Sequence, residues 1–417
     1  MVGIGFVLFG LLMISGYLND WSFRLLGNKA YLSAIMLVLV PVAWVLSGNA
    51  LKGFQDKIGV FWICFVGLIM IGVPFSEWRT GSLEALISYA TRAFTWYFYV
   101  VAFVSTQRRF RSLMTLTAVC SGIVLLTCYF FGETDIGGDG RFRIPDSIFF
   151  ANSNDLALQL VLGVTSLMIL FYRGGLWRYL LAGIGILISL VYIVKTGSRG
   201  CLLSAILLYV AMIIVSKRRI LLVLIALPVV AVVIGFGNQA SLRRLTTVFA
   251  PTVPTFVSME DASALNSAAQ RQDLIKKGIS YTLKHPILGV GLLQFPVAVA
   301  GDAKKTGKFE PWLGTHNSYT EVSSECGIPA FLCYCSIIFL SFSRSYRMYR
   351  AASGKPQFAE IEGMAFCILS GVFVYAIATF FFHMAYTGLL PMLAGQTVAL
   401  ENIARPQLFP ESGSRRA

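Results

Sequence analysis

Charged side chains are scarce in this sequence of 417 residues. Asp, Glu, Lys and Arg together make up 13% of the chain, whereas a soluble domain carries about 25%. Hydrophobic residues make up 56%, and the mean hydropathy is +0.72. This balance excludes a soluble globular protein and predicts an all-α polytopic membrane protein. Because the apolar runs follow one another closely, we expect a single transmembrane domain over residues 1–417.

Among the charged residues, acidic ones are fewer than basic ones. The chain has 20 Asp and Glu and 34 Lys and Arg, which gives a net charge of +14. Such an excess also occurs in nucleic-acid-binding proteins. Here, however, the basic residues cluster in short loops between apolar runs, which is the positive-inside pattern of membrane proteins. We therefore expect membrane lipids and no nucleic acid as partners. The clearest clusters are Arg108/Arg109/Arg111, Lys217/Arg218/Arg219 and Arg344/Arg347/Arg350/Lys355.

Cysteine is present only eight times, and every cysteine lies in or beside an apolar run. The closest pair, Cys333 and Cys335, does not have the spacing of a zinc site. The acidic segment Asp135–Asp139 lacks the pattern of a calcium loop. We therefore expect no disulfide framework, no metal and no cofactor. The first apolar run also lacks a basic start and a small-residue cleavage site, so no cleavable signal peptide is expected.

Twelve apolar runs are candidates for crossing a bilayer, which takes about 20 residues, with about 17 as a floor. The even number places both termini on one side, and the basic loops identify that side as the cytoplasm. The predicted spans are 2–18, 30–47, 58–74, 83–105, 112–131, 153–172, 178–196, 200–216, 220–237, 327–343, 362–382 and 386–403.

Three polar stretches then face the opposite, non-cytoplasmic side: 132–151, the turn at 196–199 and one large loop at 238–326. Within this loop, Ser267-Ala-Ala-Gln270 fits a capping box and predicts a helix that ends before Pro286. This start places Arg271 in the first helical turn. A second capping box, Ser318-Tyr-Thr-Glu321, predicts another helix and places His316 just before its N-terminus.

Three side chains in these stretches are candidates for chemistry. Arg199 lies between two apolar spans, so it either faces a wet interior or extends to the interface. Arg271 either is solvated or faces an anion, because its guanidinium suits phosphate oxygens. A nearby helix N-terminus disfavours the charged form of His316, which leaves a neutral base. Of the other two histidines, His285 is interpreted as a loop residue and His383 as a cap at the end of a span.

Four motifs, in order, resemble the O-antigen ligase superfamily over about residues 140–335. The first is Asn152-Ser-Asn154-Asp155-Leu-Ala, preceded by Arg141-Phe-Arg143. The others are Thr196-Gly-Ser-Arg199-Gly, His285-Pro-Ile-Leu-Gly-Val-Gly291, and His316-Asn-Ser-Tyr leading to Gly327. The order of the four is more specific than any one of them.

The resemblance implies a site on the periplasmic face of the bacterial inner membrane, where this family uses undecaprenyl-diphosphate-linked glycans. Arg199, Arg271 and His316 match the family's essential arginines and histidine and are the expected catalytic residues. The expected binding residues for the diphosphate or glycan are Arg141, Arg143, Asn154, Asp155 and Asn317.

The expected reaction is ligation of a polysaccharide from undecaprenyl diphosphate to a sugar hydroxyl of lipid A–core, without a metal. An O-antigen polymerase and a protein O-oligosaccharyltransferase use the same donor and remain alternatives. A flippase for the lipid-linked glycan is a further alternative from another class. It should carry charges along both halves of its path, whereas the candidate residues here gather on one face.

Overall fold

The computed structural model describes residues 1–26, 31–135, 140–147, 149–172, 174–215, 219–236 and 259–410. Of these residues 80% are helical, which confirms the all-α polytopic class. The helices of the first half are α1 (Val2–Tyr17), α2 (Asn19–Leu26), α3 (Tyr31–Val45), α4 (Lys52–Gln55), α5 (Lys57–Gly72), α6 (Arg79–Tyr89), α7 (Thr95–Phe103), α8 (Gln107–Phe131), α9 (Ser153–Leu167) and α10 (Ile169–Tyr172).

The second half continues with helices and contains no strand among the described residues. These helices are α11 (Leu176–Lys195), α12 (Arg199–Val215), α13 (Arg219–Phe236), α14 (Met259–Lys284), α15 (Phe295–Lys305), α16 (Ser318–Ala352), α17 (Ala359–Ala378) and α18 (Leu389–Leu408). A two-residue pair, β1 (Glu133–Thr134) and β2 (Phe142–Arg143), forms an antiparallel ladder after α8.

Each of the twelve predicted spans coincides with helix, but fewer of them have the length of a complete span. Among the described residues, six helices are long and apolar enough to cross a membrane, or seven if the bent pair α1–α2 counts as one span. Helices α3 and α12 have only 15 and 17 residues. The predicted span 83–105 is divided into α6, a π-helical turn at Ala90–Phe94, and α7. The six are Lys57–Phe75, Gln107–Phe131, Ser153–Tyr172, Leu176–Lys195, Ser318–Ala352 and Pro356–Ala378.

Two other boundaries differ from the prediction. Helix α14 begins at Met259 rather than Ser267, so Arg271 lies well inside it and not in its first turn. Helix α16 extends to Ala352, so Arg344, Arg347 and Arg350 lie in its last turns rather than in a loop, and only Lys355 follows the helix. There Arg344 donates to Asp56 at 2.7 Å and to Glu401 at 3.0 Å. These partly buried charge pairs connect the start of α5 with α16 and α18 at one end of the bundle.

The core is formed by α5, α9, α16, α17 and α18, whose apolar faces pack together. Its largest buried side chains include Trp62, Phe65, Tyr334 and Tyr375. The two tyrosine hydroxyls are 3.0 Å apart, so each satisfies the other in the interior. This rigid bundle carries the N-terminus of α16 at the end opposite to Arg344.

Candidate functional site

The start of α16 is fixed by Asn317, which is the N-cap. Its Oδ1 accepts hydrogen bonds from the backbone N–H groups of Tyr319 at 2.9 Å and Thr320 at 3.0 Å. Its Nδ2 donates to the carbonyl of Phe380 at 3.0 Å. The predicted cap, Ser318, is instead the first helical residue. The buried Asn317 side chain is thus engaged by the protein, and its contact with a substrate stays a prediction.

Ser318 connects the same helix start to the segment after α17. Its hydroxyl donates to the carbonyl of Phe382 at 2.7 Å and accepts from the backbone N–H of Met384 at 2.8 Å. One turn later, Glu321 accepts from the N–H of Ala385 at 3.2 Å. The intervening residue, His383, is therefore held beside the start of α16.

His316 and His383 contact each other through their imidazole rings. The two Nδ1 atoms lie 3.1 Å apart, and the ring centroids are 4.8 Å apart with planes at 67°. The backbone of His316 has a φ of 51°, an uncommon value for a residue with a side chain. Such strain is concentrated at functional sites. The sequence motifs did not include His383, although its place at the outer end of a predicted span was a signal.

Arg271 reaches the same place from α14. This helix approaches α16 closely at Gly278, where an added Cβ would lie 3.0 Å from the Cβ of Thr320. Further along, the hydroxyls of Thr282 and Ser323 are 2.8 Å apart. Arg271 lies two turns before Gly278 on the same face of α14, because seven residues make about two turns.

The electrostatics of the site favour neutral imidazoles. Burial, together with the neighbouring His383 and Arg271, lowers the pKa of His316 to about 4. Burial also lowers the pKa of His383, again with a contribution from Arg271, although an edge of this ring remains exposed. Sequence analysis predicted a neutral His316 from the helix N-terminus. The direction is as expected, but desolvation and the two neighbours are the causes.

Arg141 lies in a second cluster, at the start of α9. This buried side chain donates through Nε to the carbonyl of Thr196 at 2.7 Å and through Nη2 to Oδ1 of Asn154 at 2.6 Å. Asp155 lies close enough for its charge to interact with Arg141. The first two of the four motifs are thereby brought together.

Arg143 points elsewhere. It forms an ion pair with Asp135 at 3.2 Å, on the partly exposed surface of the β1–β2 ladder. The structure does not bring it to Arg141, so it is a peripheral member of the predicted binding set. Its role in substrate binding stays a prediction.

Arg199 lies in the segment that connects the two clusters. It is half-buried and is the first residue of α12, directly after the turn that Arg141 holds. The next residue, Gly200, packs on Phe381, where an added Cβ would lie 2.6 Å from the phenylalanine Cβ. Phe381 is two residues before His383. The end of the molecule that carries His316 therefore also carries Arg199.

The segment 285–294, which follows α14, contacts the next turns of α16. Gly327 interrupts that helix with φ 82° and ψ 173°, and Ile328 N–H donates to the carbonyl of Pro286 at 2.8 Å. Val290 N–H donates to the carbonyl of Ser324 at 3.0 Å. The buried carboxylate of Glu325 accepts from Leu293 N–H at 2.9 Å. The glycine-rich motif is thus a docking segment for α16.

Arginines supply the positive charge of this site, and two histidines supply its proton acceptors. Among the residues with described positions, no group of three or more His, Cys, Asp or Glu side chains is arranged to hold a metal ion. Guanidinium groups bind phosphate oxygens through paired hydrogen bonds. A neutral imidazole nearby is suited to take a proton from a hydroxyl. The arrangement therefore fits transfer from a phosphate-activated donor to a hydroxyl acceptor.

The fold and this site define a multi-pass helical membrane protein with an arginine–histidine centre at one end of its bundle. Residues 184–335 match the sequence model of the O-antigen ligase family. This segment, which includes Arg199, Arg271 and His316, is therefore a domain of the O-antigen ligase superfamily, an enzyme family of ligases and polymerases. No curated protein sequence matches the chain closely enough to count as a relative.

Proposed function

We propose that this protein is an O-antigen ligase that joins a polysaccharide from undecaprenyl diphosphate to a sugar hydroxyl of lipid A–core. The reaction takes place on the periplasmic face of the bacterial inner membrane, with both termini in the cytoplasm. The observation that carries the proposal is the neutral His316 beside Arg271 in a domain of this family. A base and a diphosphate-binding cation are the two groups that this transfer needs.

In the proposed reaction, the acceptor oxygen attacks the anomeric carbon of the donor sugar. The bond from this carbon to the diphosphate oxygen breaks, and undecaprenyl diphosphate leaves with the bonding electrons. Arg271 and Arg199 stabilise the negative charge that develops on it. His316 takes the proton of the acceptor hydroxyl. The activated donor supplies the driving force, so no nucleotide cofactor is required.

The buried cluster around Arg141 positions the residues that carry out this reaction. Its hydrogen bonds fix the turn that precedes Arg199, and Asn154 completes the cluster from α9. In this proposal Arg141, Asn154 and Asp155 hold Arg199 in place next to the donor. Asn317 acts in the same way on His316, since it caps the helix that follows.

The decisive test combines one variant with three acceptors. Purified protein is given lipid-linked glycan together with lipid A–core, a second repeat unit or a pilin-like protein, in separate reactions. We expect transfer only to lipid A–core. In that reaction His316→Gln should lower the rate by about 10²–10⁴-fold, which is the contribution of a positioned general base. Donor binding should be unchanged, because the arginines hold the diphosphate.

The acceptor arms separate ligase from polymerase and from protein glycosylation. Transfer to the repeat unit alone would identify a polymerase, and transfer to the pilin-like protein would identify an oligosaccharyltransferase. Nearly full activity in His316→Gln would remove the histidine from the proton transfer. A loss of donor binding in this variant would instead place the histidine in the diphosphate site.

A further inference from the structure

The contact between the two histidines fixes how their protons are arranged. A neutral imidazole has one N–H donor and one acceptor nitrogen. With the two Nδ1 atoms 3.1 Å apart, one must carry the hydrogen and the other the lone pair. We propose that His383 is the acceptor and acts as a positioning residue, which holds His316 in the tautomer with Nδ1–H and a free Nε2. This inference rests on the proposed role of His316 as the base.

The direction of this hydrogen bond follows from what happens when His316 takes a proton. With Nδ1–H donating to His383, the proton from the acceptor hydroxyl enters at Nε2, and the bond to His383 persists in the imidazolium. In the opposite arrangement His316 carries its hydrogen on Nε2. Protonation would then place two N–H groups against each other at 3.1 Å. Only the first arrangement is compatible with both states of the base.

The surroundings keep His383 where this bond requires it. Its ring packs on Gly314, where an added Cβ would lie 3.4 Å from Cγ and Cδ2 of the imidazole. Its chain neighbours are held by Ser318 and Glu321 through the hydrogen bonds to Met384 and Ala385. The exposed edge of the ring lets its second nitrogen donate to water. An acceptor for His316 is thus built into the connection between α17 and α18.

Arg271, on α14, is the charged group that acts on both rings. Its positive charge opposes protonation of either imidazole, so the resting pair is neutral at pH 7. A neutral pair requires a single shared hydrogen between the two Nδ1 atoms. The position of that hydrogen is the quantity to measure.

The position of this hydrogen can be measured directly, because the chain has only three histidines and their signals can be assigned. Nitrogen NMR of protein with ¹⁵N-labelled histidine distinguishes protonated from unprotonated ring nitrogens, and single substitutions assign the signals. We expect His316 to carry its hydrogen on Nδ1 in the native protein. His383→Leu should give a mixture of tautomers and lower kcat about 10-fold to 100-fold, with KM for the donor unchanged. His383→Asn keeps an acceptor oxygen and should restore most of the loss.

The matched control is His285→Asn, since His285 stacks on Tyr281 away from the pair. It should leave the tautomer of His316 unchanged. Hydrogen on Nε2 of His316 in the native protein would overturn the inference, as would equal loss in His383→Leu and His383→Asn. The tautomer measurement is independent of the proposed base, whereas the rate measurement depends on it. If His316→Gln stays active while the tautomer is as expected, the proposed role of His316 fails but the pairing stands.

Discussion

Arg271 has two effects on the chemistry at His316, and they oppose each other until the donor binds. Its charge contributes to the low pKa of His316, which makes the resting imidazole a weak base. A bound diphosphate would offset that charge and raise the pKa. Donor binding would therefore strengthen the base just when an acceptor hydroxyl needs it. Without a bound donor, the site therefore does not expose a strong base to water.

Arg271→Lys and Arg271→Met separate the charge of this residue from its shape. The lysine keeps the charge but loses the paired hydrogen bonds to phosphate. A charge-assisted hydrogen bond contributes about 1.5–3 kcal/mol, so we expect a rate loss of about tenfold or more. The lysine variant should lose kcat/KM over about the same acid pH range as the native enzyme. We call this low-pH loss of activity the acid limb. Methionine removes the charge, so the pKa of His316 rises and the acid limb should move to higher pH.

The measurement is the pH dependence of ligation for the native enzyme and both variants. Activity is lost as the pH falls, because protonated His316 cannot accept a proton. The pH profile of kcat reports the enzyme with bound donor, and that of kcat/KM reports the free enzyme. In the native enzyme the acid limb of kcat should therefore lie at higher pH than the acid limb of kcat/KM. If the acid limbs of kcat and kcat/KM lie at the same pH, or if the methionine variant is as active as the native enzyme, Arg271 is an ordinary surface residue.

The sequence motifs include most of the side chains that the structure groups together, but they do not predict all of the contacts between them. Arg271 lies close enough to His316 for its charge to act on the imidazole, and Arg141 contacts Asn154 and the turn before Arg199. The partner His383 was interpreted as a cap, because a histidine 67 residues from His316 gives no local pattern that pairs them. Such contacts depend on how two helix ends are packed, which periodicity does not contain.

At the scale of elements, the start of α16 is the feature that assembles the site. Its first residues hold the segment after α17, and the break at Gly327 receives the segment 285–294. The capping pattern located this helix to within one residue. The start of α14 was misplaced by eight residues, from Ser267 to Met259. The capping-box pattern at Ser267 lies inside the longer helix, so this local pattern did not mark a boundary.

Gly289→Ala tests the docking of the segment 285–294, and Gly307→Ala is its matched control. Both glycines have a positive φ, 67° and 68°, so alanine costs a similar backbone strain at each. An added Cβ at Gly289 would lie 2.2 Å from the carbonyl carbon of Glu325, whereas no atom lies within 4 Å at Gly307. We expect Gly289→Ala to lose about 1–3 kcal/mol more, the usual cost of overpacking.

Thermal unfolding in detergent and the rate of transfer measure this difference. Gly289→Ala should unfold at lower temperature than Gly307→Ala and lose activity, because Glu325 and the α16 break are displaced. Equal melting temperatures for the two variants would mean that the segment does not depend on close contact with α16.

At the scale of the whole molecule, the two ends of the bundle differ in chemistry. One end carries His316, Arg271 and Arg199, while the other carries the ion pairs of Arg344 and of Arg111 with Glu360. The hydropathy of the sequence predicted the helical class and the position of the helices. It did not predict which apolar runs form short or broken helices, because their lengths depend on packing against neighbours rather than on lipid.

Orientation in the membrane is the last prediction, and the reaction proposed here depends on it. The basic residues at the Arg344 end favour the cytoplasm, which places α14, α15 and the exposed turn at Gly307 in the periplasm. In a background without reactive native thiols, Gly307→Cys should react with a membrane-impermeant maleimide in intact spheroplasts. A cysteine at Ser353, in the turn after α16, is the matched control and should react only after lysis. The reverse labelling pattern would place Arg271 and His316 in the cytoplasm, where the proposed periplasmic acceptor is absent.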